Sequence, residues 1–142
     1  MTAPRIDHIG IVVESLEPAV AMLQKLLPGA PLRRRSMPEV GLEVAEFEAA
    51  NIVVEVLAYT ASGSFGREVM GDTPGVNHLS IQVPDLAQAL GALAADGVAP
   101  SAGFPREGAH GRIAFLPPDP ATRLLFELCE PHAAAVAKEP TR

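Results

Sequence analysis

The spacing of apolar residues changes more than once along the first third of the chain. Residues 5–13 are rich in Ile and Val, which predicts a strand. Over residues 16–27 the apolar positions recur at helical spacing, with Ser15 placed to cap the helix and Pro18 tolerable in its first turn. Pro28-Gly29 stops it. Residues 41–48 and 52–59 read as extended segments joined by a tight turn at Ala49-Ala50-Asn51, a hairpin pattern, and residues 32–36 form a weaker strand.

The same order then restarts. A strand over residues 76–83 leads to Asp85 as a cap, a helix over residues 86–95 ended by Asp96-Gly97, and strands over residues 112–116 and 123–129. Between the halves, residues 61–75 carry Ser, Gly, Asp and Pro and read as a linker with one short helical turn. The tail after Pro131 is expected to be loosely ordered.

Displacing the chain on itself by 70 residues superposes the halves, with His8-Ile-Gly-Ile-Val-Val falling on His78-Leu-Ser-Ile-Gln-Val. Leu16, Ala19 and Leu23 pair with Leu86, Ala89 and Leu93, the positions of a buried helical stripe. Ile52-Val-Val-Glu-Val-Leu corresponds to Leu124-Leu-Phe-Glu-Leu-Cys, so Glu55 pairs with Glu127 at a displacement of 72 residues. One domain over residues 1–142 is expected, made of two modules at about 4–60 and 74–131.

Alternate side chains of a strand face opposite ways. His8 therefore shares a face with Gly10 and Val12, leaving Ile9, Ile11 and Val13 to pack under the helix, and His78 repeats this with Ser80 and Gln82. Both histidines should look out from the concave side. Glu55 and Glu127 interrupt strands that are otherwise apolar, where an isolated carboxylate is costly to bury unless something cationic meets it. Taken singly, a strand His is more often a satisfied core or surface residue, and a lone Glu more often the partner of an Arg such as Arg112. Four residues of ligand type at repeat-equivalent positions favour one divalent-metal site built from His8, Glu55, His78 and Glu127. His110 and His132 lack repeat partners and stay outside it.

Composition narrows the rest. A hydrophobic share of 48% and a charged share of 20% over 142 residues suit an ordinary globular fold. One cysteine, Cys129, offers no internal disulfide and no thiolate cluster, which points to the cytosol. The start lacks a signal segment, and no apolar run approaches the roughly 20 residues of a membrane helix, so neither secretion nor a membrane is expected. A net charge of −6 with five Phe, one Tyr and no Trp argues against nucleic acid. Arg33-Arg34-Arg35 reads first as a solvated strand edge and second as a clamp for an anionic ligand.

Ile6-Asp-His-Ile-Gly-Ile-Val-Val, Val76-Asn-His-Leu-Ser-Ile-Gln-Val, Gly108-Ala-His-Gly-Arg-Ile-Ala-Phe-Leu and Leu125-Phe-Glu-Leu-Cys-Glu resemble strand motifs of the vicinal oxygen chelate (glyoxalase/bleomycin resistance/dioxygenase) superfamily. Within it they are most similar to the methylmalonyl-CoA epimerases, over nearly the whole chain. The resemblance implies an α+β fold of tandem βαβββ modules forming a curved mixed sheet, a half-barrel, around a metal site. It makes His8, His78 and Glu127 metal ligands, with Glu55 at the place of the fourth. It further implies an isomerase in which a divalent ion (Co, Zn, Ni, Mn or Fe) holds the thioester and carboxylate oxygens of an acyl-CoA and stabilises the enolate left by the α-proton. A homodimer is implied as well.

The pattern also departs from that family. Epimerisation needs a base on each side of the α-carbon. One lies three residues past the glycine of a Pro-Glu-x-Gly turn in some epimerases, and counting from Gly41 puts Val44 there. Glu46, which shares the facing of Val44, is the substitute candidate beside Glu127, although it also reads as a solvated strand residue. Pro117-Pro-Asp-Pro replaces the family's His-Pro-Lys segment, and the Tyr usual in the first helix is missing around Met22-Leu23. Binding a polyanionic CoA would call on Arg33 to Arg35, Arg67, Arg106 or Arg112. Two other readings stay open: a glyoxalase-type lyase or isomerase acting on another metabolite, and a metal-free drug-binding protein of the same fold.

Overall fold

Strand β1 (Arg5–Val12) leads into helix α1 (Leu16–Leu26), then β2 (Leu32–Met37), β3 (Leu42–Glu48) and β4 (Val53–Tyr59). A short helix α2 (Phe65–Met70) follows, and the order repeats as β5 (Gly75–Gln82), α3 (Leu86–Ala95), β6 (Arg106–Glu107), β7 (Gly111–Phe115) and β8 (Phe126–Pro131). The βαβββ order thus occurs twice, in a mixed α+β protein. These elements come from a computed structural model, which describes residues 3–61 and 64–132. Most of the tail expected to be loosely ordered lies outside the described residues.

The chain gathers into two compact units, residues 8–79 and residues 80–142 with 1–7, so the divisions fall inside β1 and β5. In the first unit the strand order is β2-β3-β4-β1. β2 and β4 run antiparallel to β3, and β1 runs parallel to β4 with His8 beside Val53 and Gly10 beside Glu55. Helix α1 packs chiefly on β3 and β4. Its Val20 meets Ala45 and Phe47, with Leu16, Leu23, Leu27 and Val54 closing the cluster.

The second unit has the matching core. Leu86 of α3 meets Ala114 and Leu128, supported by Ile81, Leu90, Leu93 and Phe104. β6, β7 and β8 are antiparallel neighbours. The stripe that pairs Leu16 with Leu86 and Leu23 with Leu93 is therefore spent on two equivalent cores, one per unit.

Several local expectations are corrected. Ser15 sits at the N-cap of α1 in extended conformation but makes no side-chain cap bond, whereas Asp85 accepts from the backbone N–H of Gln88 at 3.0 Å. Residues 123–125 are not strand. Asp119 accepts from the N–H groups of Ala121 and Thr122, and Arg123 adopts φ 66, so a turn delays β8 to Phe126. β6, a two-residue strand, carries too little pattern to be read from sequence. The faces of β1 are also weighted differently: His8, Gly10 and Val12 are buried, while Ile9 and Ile11 stay partly exposed. Ile9 lies beside Val54, which packs in the cluster under α1.

Candidate metal centre

His8 and His78 stand on β1 and β5, and Glu55 on β4 beside β1. All three are buried, at 4%, 3% and 6% relative exposure. One ligand atom from each lies within 4.8 Å of the others. The Nε2 of His8 is 3.5 Å from Oε1 of Glu55, and the two imidazoles meet edge to face with centroids 5.5 Å apart. A tetrahedral ion with ligands at roughly 2.1 Å asks for ligand separations of about 3.4 Å. The His8–Glu55 spacing fits that demand.

The electrostatics fit as well. Burial, and next the neighbouring His8, push the His78 imidazole down to about 3. At neutral pH His78 is therefore an uncharged imidazole, the form that ligates metal. Its Nδ1 lies 2.8 Å from Oδ1 of Asn77. The ring rests against Gly10, where a Cβ would come 2.1 Å from Cε1 of His78. Gly10 lies on the buried face of β1 that it shares with His8 and Val12. A lone glycine inside an Ile/Val strand is the signal for such a close approach.

Glu46 is 5% exposed, which overturns its reading as a solvated strand residue. It stands directly across from Glu55 in the β3–β4 register, since the pleat of the hairpin turns both onto one face. Val44, at the position of the expected base, is buried. Glu127, on β8, is 4% exposed and lies across from Phe115. Arg112, the residue considered as a pairing partner for such a Glu, is exposed and stands across from Glu130 instead. Glu130 has its own task, accepting from the N–H of Leu86 at 2.8 Å at the start of α3.

His110, left outside the site, has Nδ1 2.8 Å from Oδ2 of Asp7, whose other oxygen accepts from Nε2 of Gln82 at 3.0 Å. Of the arginines considered for an anionic ligand, Arg34 is held by both oxygens of Glu17, at 2.7 and 3.0 Å. Arg67 pairs with Asp72 at 2.6 Å and lies over the ring of Tyr59. Arg33 and Arg35 are exposed on β2.

A βαβββ order used twice, with a buried His at the same place in each first strand, defines a paired-module α+β protein. The model of the Glyoxalase/Bleomycin resistance protein/Dioxygenase superfamily matches residues 7–115, and the chain belongs to that superfamily. It is 33% identical over 129 residues to the uncharacterized protein YqjC of Bacillus subtilis, covering 89% of this chain and 92% of the relative. It is 29% identical over 128 residues to an ethylmalonyl-CoA/methylmalonyl-CoA epimerase of Cereibacter sphaeroides, covering 87% and 96%. Among solved structures it matches methylmalonyl-CoA epimerase from Mycobacterium tuberculosis with a TM-score of 0.79 and 26% identity, over 96% of this chain and 97% of that one. The fold that the motifs implied is the fold of these proteins. Among the described residues no helix is long and apolar enough to cross a membrane.

Proposed function

We propose that this chain is a divalent-metal-dependent isomerase of the epimerase kind, which removes and returns a proton α to a thioester or comparable carbonyl. The observation that carries the reading is the buried His8–Glu55–His78 cluster, in a chain similar over most of its length to acyl-CoA epimerases. His8, Glu55 and His78 hold the ion, and Glu127 joins them as the fourth ligand because the repeat pairs it with Glu55. When bound, the ion (Co, Zn, Ni, Mn or Fe) supplies Lewis-acid stabilisation of charge developing on a substrate oxygen.

The chain's own residues do the rest. Glu46 presents a carboxylate shielded from water, beside Glu55 on the neighbouring strand. A buried carboxylate across from a ligand of the ion is placed to act as a general base. Glu46 takes the α-proton, and Glu127 is the second proton-handling group. Arg33 and Arg35, exposed on β2, are the cations that meet the phosphates of an acyl-CoA. The protein acts in the cytosol, in keeping with its single cysteine, and as a homodimer, as the resemblance implies.

Val44 favours a second reading, because it leaves the position of the expected epimerase base apolar. On that reading the same metal centre serves a glyoxalase-type lyase or isomerase acting on another metabolite. Deuterium uptake into methylmalonyl-CoA in heavy water, by cobalt-loaded protein, separates the two. Exchange at the α-carbon supports the epimerase reading. Tight cobalt binding without exchange moves the activity to the second, and no cobalt binding leaves a metal-free small-molecule-binding protein.

A further inference from the structure

The amide of Asn77 is fixed from its far end. Its Nδ2 lies 2.8 Å from the carbonyl oxygen of Met70, the last residue of α2. A carbonyl only accepts, so the nitrogen must face Met70 and the oxygen must face the other way. That oxygen lies 2.8 Å from Nδ1 of His78. An amide oxygen likewise only accepts, so Nδ1 of neutral His78 carries the proton and Nε2 carries the lone pair.

The anchor is itself held. Ser64 caps α2 by accepting from the N–H of Arg67, Gly66 donates to the carbonyl of Val40 at 3.0 Å, and Tyr59 donates its hydroxyl to the carbonyl of Gly71 at 2.6 Å. A Cβ at Gly66 would come 2.9 Å from that Val40 oxygen, so glycine lets α2 sit directly on the β2–β3 turn.

We infer that Asn77 is a positioning residue: tied to the end of α2, it fixes the His78 tautomer and so keeps Nε2 available as a metal ligand. The segment between the modules thereby sets the affinity of the centre without touching the ion. This rests on the metal reading above, but the tautomer itself does not.

The test has two arms. Long-range proton–nitrogen spectra of histidine-labelled, metal-free protein report the His78 tautomer, and competition with a chelator reports cobalt(II) affinity. Asn77→Leu removes the acceptor and is expected to make the Nε2–H form the major one and to weaken cobalt binding about 10–100-fold. Asn77→Asp keeps an acceptor at Nδ1 but loses the donor to the Met70 carbonyl, and is expected to retain the wild-type tautomer with a cobalt affinity between those of N77L and the wild type. An unchanged tautomer in N77L, or N77D losing as much affinity as N77L, overturns the inference. Wild-type protein that binds no cobalt refutes the metal reading, while the spectra still decide whether Asn77 governs His78.

Discussion

A Cβ built on Gly10 would lie 2.1 Å from Cε1 and 2.4 Å from Nε2 of His78, so the imidazole of one candidate ligand rests on the bare backbone of the strand that carries another. Gly10 is the repeat equivalent of Ser80, and its missing side chain makes room for the ring. Gly10→Ala must displace His78. We expect a loss of about 1–3 kcal/mol in unfolding free energy together with at least a tenfold loss of metal affinity. Denaturant unfolding and metal titration check both.

Glu46 and Glu55 face each other across the β3–β4 hairpin, both buried. Like charges directly opposite oppose pairing. Glu46→Gln should leave metal binding in place and raise the stability of the metal-free protein by about 0.2–1 kcal/mol. Proton exchange should fall by about 10²–10⁴-fold. Isotope exchange and chemical denaturation of the one variant read both effects, and an E46Q protein that exchanges at the wild-type rate removes Glu46 from the chemistry.

His78 makes stability depend on pH. Its folded pKa, about 3, lies below the unfolded value near 6.5, so between these values the unfolded chain binds the proton and the folded one does not. The stability is complete above about pH 6.5 and is lost as pH falls toward 3, with a slope contribution approaching about 1.4 kcal/mol per pH unit. Comparing metal-free wild type with His78→Gln across that window should show a flatter profile for the variant.

The two helix starts differ in what their caps do. Asp85 bonds the N–H of Gln88, whereas Ser15 makes no side-chain cap bond. Asp85→Ala should cost about 1 kcal/mol and Ser15→Ala far less, measurable as a difference between their thermal midpoints.

Much of this was legible from the chain because the repeat does double service. The spacing that sets Leu16 on Leu86 also sets His8 on His78, so core and candidate ligands appear together, and both helices lie within a residue of where periodicity put them. What was not legible came from strand register and side-chain hydrogen bonds, which the apolar pattern does not carry. The burial of Glu46 follows from its hairpin partner Glu55, and the hold of Asn77 on His78 depends on a backbone carbonyl seven residues away. The turn that shortens β8 hangs on Asp119, whose caps look from sequence like any loop carboxylate.

The centre itself is tested most directly by metal content. Protein loaded with cobalt(II) and freed of excess should hold one ion per chain in the wild type and none in His78→Ala, with the variant still folded. An empty wild type, or a folded H78A that keeps its full complement of cobalt, would contradict the site.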